Sequence, residues 1–494
     1  MSVGIHAFGG YVPRLRLQRE VIAATNAWFN PGLKVLGQGE RSIANWDEDV
    51  VTMAVEAARD ALGGTGRDGG REQGPLQGVY LASTSMPFED RQNAGIVAEA
   101  LHLGHGLRTL DITGSQRAGT SALVTALQAV GGGGGPILVV GAEKRRTRAA
   151  SPLELTTGDG AAALVVAQGD GAARVLGHAT ETVDFVDHYR GQNEAFDYLW
   201  EERWVRDEGY LKIVPTAVVR ALEAAGVAPG SVSHFCFPSP AHRVAGMLAK
   251  RLGIPDASVR DNLQGTCGEA GAAHPLLMLV HALEQASPGD TMLVVGFGQG
   301  CDALVVEAGE HLAAARPRLG VAGHLTRRRE ETNYQRYLAI NDLVTIERGL
   351  RAEIDRQTGL TTLYRNKGML LGFIGGRCRS CNTPQYPKSK VCANPDCHAV
   401  ESQDDYPFAD RTATLNTHTA DRLTYSPDPP AYYGMVQFDG GGRAMMDLAD
   451  IDPGAELAVG QPMRMVFRVK DYDTQRGFRR YFWKATPVGT QREA

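Results

Sequence analysis

The chain repeats itself, and this constrains its fold more than any other feature. In the first half, ILVVGAE (137–143) is followed by GDGAAALVVAQG (158–169); in the second, MLVVGFGQG (292–300) is followed by CDALVVEAG (301–309). Val140 and Val295 hold equivalent positions. Ahead of each pair stand a helix-period stretch, VTMAVEAARDAL (51–62) and VPTAVVRALEAAGV (214–227), and a short apolar strand, GVYLAST (78–84) and SHFCFPS (233–239). A Gly/Ser turn and an apolar helix come next, SALVTALQAV (121–130) and HPLLMLVHALEQA (274–286). Such alternation builds an α/β unit, and near-continuous Val/Leu strands predict sheets covered on both faces. The two units are expected to stack helices between two sheets, with functional groups on the turns from strand ends to helix starts.

At 494 residues the chain exceeds one core, since cores stop growing at roughly 250–300 residues. Hydrophobic residues make up 43% and charged residues 22%, as in an ordinary globular protein. A net charge of −5 leaves no electrostatic footprint for nucleic acid or an anionic membrane, and the basic cluster Lys144, Arg145, Arg146 and Arg148 is only local. No stretch approaches the ~20 uninterrupted apolar residues of a membrane span, and MSVGIHAFGGYVPRLRL at the start holds no long apolar run. A cytoplasmic protein is expected, with neither membrane nor nucleic acid as partner.

After residue 310 the texture changes. Residues 311–370 read as a charged linker, HLAAARPRLGVAGHLTRRREE, followed by a docking helix on which Ile340, Leu343, Ile346, Leu350 and Ile354 recur at helical spacing. In 371–400, a CxxC turn (Cys378, Cys381) and a second pair (Cys392, Cys397) complete a tetrahedral S₄ shell, for which a structural Zn²⁺ is the default. With seven cysteines in all, this cluster fits a metal site in a reducing compartment better than a disulfide framework. Strand-like runs in 401–494, with DGGG (439–442) and TQRG (474–477) as hairpin turns, give a small all-β domain of barrel size. Its Arg479, Arg480, Tyr481, Phe482 and Trp483 read as a docking edge.

Taken together, GGYVPRLRL (9–17), DEDVVTMAVEAA (47–58), DITGSQ (111–116), GDGAAALVV (158–166) and VGFGQG (295–300) resemble the thiolase superfamily, in its 3-hydroxy-3-methylglutaryl-CoA synthase and ketoacyl synthase III branch. The resemblance covers about residues 1–310. The C-terminal 371–494 resembles the zinc-ribbon plus OB-fold family that accompanies thiolase-like subunits, here fused. These resemblances imply a duplicated thiolase-like αβαβα core (roughly 1–170 and 171–310), a homodimer formed through it, and a coenzyme A thioester as substrate. A partner enzyme is a further possibility, and the fused module is expected over the mouth of the acyl-CoA tunnel.

The resemblance also places catalytic groups, and here this chain departs from it. The family's nucleophilic cysteine falls on Gln116, its catalytic Glu on Thr84, its His on Pro238 with His242 four residues off, and its Asn on Gly268. Three readings follow. A relocated set in TCGEAGAAH would use Cys267 with Glu269 or His274, since a thiol beside a base suffices for acyl transfer. Alternatively, Gln116 at a helix N-terminus holds a thioester oxygen for retro-aldol cleavage, or for decarboxylation of a 3-oxoacyl thioester, with Tyr189, Tyr198 or Tyr210 as proton donor. The third reading is a non-catalytic acyl-CoA-binding scaffold for an active partner. An enzyme of carbon–carbon bond chemistry is the expectation, with Cys267, Glu269, Gln116 and His274 as candidate catalytic residues.

Overall fold

The computed structural model describes residues 2–63, 75–241 and 243–488; His242 lies outside them. Nine strands make one sheet: β1 (Val3–Tyr11), β2 (Gly78–Ala82), β3 (Arg108–Ile112), β4 (Ile137–Glu143), β5 (Gly160–Gln168), β6 (Ala173–Thr182), β7 (His234–Cys236), β8 (Thr291–Phe297) and β9 (Gly300–Ala308). Their order is β7-β8-β9-β6-β1-β5-β4-β2-β3. The pairing repeats. In the first half β2 and β4 are parallel, and β4 with β5 and β5 with β1 are antiparallel. The second half has β7 and β8 parallel, and β8 with β9 and β9 with β6 antiparallel. β1 and β6 meet only at Gly4↔Arg174 and Ile5↔Ala173, so two half-sheets join at a seam. β3 pairs with β2 at the outer edge, and its counterpart in the second half has shrunk to the single bridge Phe235↔Val259.

Helices α1 (Val50–Ala61), α2 (Ala118–Gly131), α3 (Leu211–Ala225) and α4 (His274–Gln285) supply the remaining layers. The side chains of a strand alternate between its faces, and their partners identify the layers. Val79 and Leu81 of β2 pack with α1, whereas Tyr80 and Ala82 pack with α2 and α4. Met292 and Val294 of β8 face those same inner helices, and Leu293 and Val295 face α3. The layers therefore run helix, sheet, helix, sheet, helix. Because α2 and α4 begin between the half-sheets, their N-termini meet the ends of β2 and β4, where the candidate site forms.

The C-terminal part contains a small sheet of Pro384–Gln385, Ile374–Cys378 and Gln403–Pro407, then a five-stranded antiparallel sheet. The latter comprises β10 (Ala413–Asp421), β11 (Ala431–Phe438), β12 (Arg443–Asp447), β13 (Pro462–Asp473) and β14 (Phe478–Pro487), in the order β12-β11-β10-β13-β14. DGGG and TQRG form the hairpin turns between β11 and β12 and between β13 and β14. Strand Gln403–Pro407 closes the cysteine-bearing sheet, so that unit runs past the expected boundary at 400.

The fused module is fixed to the core by buried charge. Arg468 donates to the Tyr11 hydroxyl (3.0 Å) and pairs with Glu48 and Asp450 (both 3.2 Å). Lys484 pairs with Asp47 (2.9 Å), Arg479 with Asp49 (3.3 Å), and the Tyr481 hydroxyl donates to Asp49 (2.8 Å). The strand containing Arg479–Trp483 is thus a docking edge, and the DED run before α1 is its receptor.

The connecting region differs from expectation. Residues 311–331 are not a free linker: Leu312 and Val321 enter the central core, and Arg329–Glu331 pairs in parallel with Leu15–Leu17. The expected helix through 340–354 does not form. The helix Tyr334–Ile340 is capped by Asn341 and followed by Asp342, whose φ of 53° is left-handed, and Gly349 at φ 71° turns the chain again. Ile340 and Leu343 pack against the cluster around Leu17 and Tyr337, but Ile346, Leu350 and Ile354 stay exposed, so no continuous buried stripe rewards a helix here.

Candidate active site

Five segments converge where β2 and β4 end and α2 begins. Glu143 is the last residue of β4 and is fully buried. It accepts hydrogen bonds from the Ser83 hydroxyl (3.1 Å), the Thr84 amide and hydroxyl (both 3.1 Å), the Ser85 hydroxyl and the Ala272 amide (3.2 Å). Burial holds this carboxyl above its ordinary pKa, although the Ser85 and Thr84 donors and the Arg145 charge pull it down. Gln116, just before α2, places its side-chain amide nitrogen 3.1 Å from His188 Nε2. His188 Nδ1 lies 3.1 Å from Asp187 Oδ1, and both residues precede or open the hairpin His188–Tyr189/Tyr198–Leu199.

Gly271, at φ 49°, makes this convergence possible. A Cβ there would stand 2.6 Å from Gln116 Oε1 and 2.9 Å from Glu143 Oε2. Both oxygens therefore crowd one point on the 268–273 loop, and Gln116 Oε1 is buried with no hydrogen-bond partner.

A charged frame holds the hairpin in place. Asp197 pairs with Arg145 (2.6 Å) and Arg190 (3.0 Å), and Arg145 also pairs with Glu269 (3.0 Å). Burial alone would raise the Asp197 pKa, but its partners, Arg145 first and then Arg190, together offset it and leave the carboxylate lowered. Arg190 also donates to the Thr84 carbonyl, tying the hairpin to the end of β2. A cleft of about 750 Å³ opens from Thr84 and Ser85, lined by Lys144, Arg146 and Arg190 on the core and by Val469, Tyr472 and Arg479 on the fused module.

Of the residues singled out in the sequence, Gln116 lies at this centre and Glu269 at its rim, its carboxylate engaged by Arg145. Cys267 lies in the core with its thiol directed at the Leu263 and Gly268 carbonyls (both 3.4 Å), and burial pushes its pKa up to about 12. That environment disfavours the thiolate a nucleophile requires. His274 is also buried: Nδ1 accepts from the Ala270 amide (3.1 Å) and Nε2 donates to the Asn262 carbonyl (2.8 Å), while burial lowers its pKa. Both ring nitrogens are thus committed to backbone. Tyr210 is buried with its pKa raised, and Tyr189 and Tyr198 are exposed on the hairpin. Cys236 and Cys301 are core residues with raised pKa values. The Cys378, Cys381, Cys392 and Cys397 sulfurs all lie within 4.8 Å of one another, the compactness an S₄ metal shell needs.

Two residues escaped the sequence reading. Glu143 was visible only as the polar end of an apolar strand, and His188 only as a member of the tyrosine-rich segment. Their approach to Gln116 is a property of the fold.

The family described as 3-oxoacyl-[acyl-carrier-protein (ACP)] synthase III C terminal matches residues 222–307, and that of the ChsH2 C-terminal OB-fold domain matches 407–468. A hydroxymethylglutaryl-CoA synthase of Aeropyrum pernix is 30% identical over 359 residues, which cover 70% of this chain and 96% of that protein. One from Pyrococcus furiosus is 29% identical over 303 residues, 60% of this chain and 84% of that protein. Among solved structures, HMG-CoA synthase complexed with CoA aligns at TM-score 0.58 and 18% identity, over 73% of this chain and 96% of that one. The 3-oxoacyl-(acyl carrier protein) synthase III of Pseudomonas aeruginosa PAO1 aligns at 0.54 and 22%, over 63% and 98%. The structural likenesses carry the fold, and the Aeropyrum relative, matched over nearly its whole length, carries the family: this chain belongs to the hydroxymethylglutaryl-CoA synthases of the thiolase superfamily, extended by a cysteine-rich ribbon and an OB-fold domain.

Proposed function

We propose that this protein makes or breaks a carbon–carbon bond beside the carbonyl of an acyl-CoA thioester without forming a covalent acyl-enzyme. One observation carries this reading: an amide, Gln116, stands where the family pattern has its nucleophilic thiol, and Cys236, Cys267 and Cys301 are all buried with raised pKa values. A thioester can still react there through its enolate, which needs hydrogen-bond donors at the oxygen and a group to carry protons. The Gln116 amide at the start of α2 supplies a donor, and the helix N-terminus favours the developing negative charge. The cleft supports a coenzyme A thioester, because Thr84 and Ser85, which hydrogen-bond Glu143, open into it and Lys144, Arg146, Arg190 and Arg479 bring positive charge to its lining. In this reading the fused module walls the mouth of the acyl-CoA tunnel.

Three companion readings belong with it. The four-cysteine cluster suits a structural zinc ion, the half-exposed edge strand β3 suits a homodimer, and the absence of any described helix long and apolar enough to cross a membrane is compatible with the cytoplasm.

The test is intact-mass spectrometry with a panel of acyl-CoAs, together with chromatography of the products. The expected result is an unmodified protein mass alongside conversion of a 3-hydroxyacyl-CoA to a shorter acyl-CoA, or the reverse addition. An acyl adduct that disappears in Cys267→Ala would overturn the reading in favour of a relocated nucleophile. Tight acyl-CoA binding with no turnover would favour the scaffold.

A further inference from the structure

From the placement of two side chains around Gln116, and resting on the non-covalent reading above, we infer that Glu143 and His188 form a relocated acid–base pair for an aldol-type step on a 3-hydroxyacyl thioester. The family positions for a carboxylate and a histidine, Thr84 and Pro238, are empty of both groups. Each group has been restored from a neighbouring element. β2 and β4 run parallel with Ala82 opposite Gly141, so Thr84 lies beside Glu143, and its hydroxyl hydrogen-bonds that carboxylate at 3.1 Å. The carboxylate has moved by one strand, about 4.8 Å. The imidazole arrives from the other side, on the hairpin that begins at His188, and meets the Gln116 amide at 3.1 Å.

The placement is built. Asp187 Oδ1 lies 3.1 Å from Nδ1 without hydrogen-bonding it, and the ring meets Gln116 through Nε2. Asp197, Arg145, Arg190 and the Thr84 carbonyl clamp the hairpin to β2, and Arg145 and Asp197 are each only 4% exposed. Glu269 is spent on Arg145, which makes it a positioning residue. Gln116 Oε1 is buried with no partner and shares the space in front of Gly271 with Glu143 Oε2, so the amide has an open hydrogen-bonding position on the Glu143 side.

The chemistry balances with these groups alone. His188 takes the proton of the 3-hydroxyl; the C2–C3 bond breaks and its electron pair enters the thioester enolate held at Gln116. The C3 carbonyl compound departs, and the Glu143 proton is delivered to C2, giving the shortened acyl thioester. Proton return from imidazolium to carboxylate resets the site, and the reverse sequence is the addition. Decarboxylation fits less well, because loss of carbon dioxide needs no group to take a hydroxyl proton and would leave His188 without a role.

The test separates the two roles. Wild-type protein is incubated in deuterium oxide with acetyl-CoA and, separately, with 3-hydroxy-3-methylglutaryl-CoA and a straight-chain 3-hydroxyacyl-CoA as probes. C2 deuteration and C2–C3 cleavage are both followed. Glu143→Gln should abolish C2 deuteration. His188→Gln should retain deuteration but lower kcat for cleavage by about 100-fold or more, with KM little changed. Asp187→Asn should reproduce a weaker form of the His188 defect, and acetyl-CoA binding by calorimetry should persist in all three, which reports a folded site. If the wild type turns over without an adduct while the Glu143 and His188 variants keep its rates, the pair falls and the non-covalent reading stands. If the wild type neither deuterates nor cleaves, both fall.

Discussion

Gln116 and Gly271 must be considered together, because the amide occupies its place only where the facing loop lacks a side chain. Gly271→Ala would drive a methyl group into Gln116 Oε1 and Glu143 Oε2 and impose a left-handed φ on alanine. The expected outcome is a loss of about 100-fold in kcat/KM from displaced groups, with a modest fall in melting temperature. Steady-state kinetics and thermal unfolding on one preparation check both parts. Cys267 makes the opposite case. Its thiol fills space and faces two carbonyls, so Cys267→Ala should cost about 1–2 kcal/mol in denaturant unfolding and leave turnover intact.

Among the elements, the short helix Gly320–Thr326 shows how the connecting region is held. Its first amides lie on the carboxylates of Asp60 and Glu284: Gly320 N reaches Asp60 at 3.0 Å, and Ala322 N reaches Glu284 at 3.0 Å. Burial pushes the Glu284 pKa up to about 7 despite these donors. A folded-state pKa above the unfolded value gives a contribution that is complete below the unfolded pKa and lost as pH rises through the folded one. Glu284 thus weakens the fold between pH 4.5 and about 7, by an amount on the order of 3 kcal/mol. Urea unfolding at pH 5 and pH 8 should show this decline in the wild type and a flatter response in Glu284→Gln.

At the scale of the whole molecule, the fused module and core share buried charges that neither could leave unpaired. Arg468→Ala strands Glu48 and Asp450 beside Tyr11 and should destabilise the protein by about 3–5 kcal/mol. Proteolysis should then open the chain within 342–359, where exposed Ile346, Leu350 and Ile354 mark a poorly packed connection. Loss of metal is expected to stay local: the purified protein should contain one zinc per chain by elemental analysis, and Cys381→Ser should remove it and loosen 374–407 while the duplicated core keeps its far-ultraviolet signature.

The sequence by itself determined what depends on neighbours along the chain. The repeated strand–turn–helix units, the hairpin turns at DGGG and TQRG and the close-spaced cysteines were all readable, because periodicity, turn chemistry and ligand spacing are local properties. Only the tertiary structure decided the rest. Whether Ile340 to Ile354 forms a helix depends on burial of the whole stripe, and only Ile340 and Leu343 find an apolar partner while Ile346, Leu350 and Ile354 stay exposed. The burial of Cys267 and His274, and the backbone groups that engage them, belong to the fold and not to the segment TCGEAGAAH. Glu143 and His188 meet at Gln116 from separate elements, one strand across and one hairpin over. No local signal encodes such a meeting, because distance in space and desolvation are fixed only when the half-sheets, the central helices and the hairpin close together.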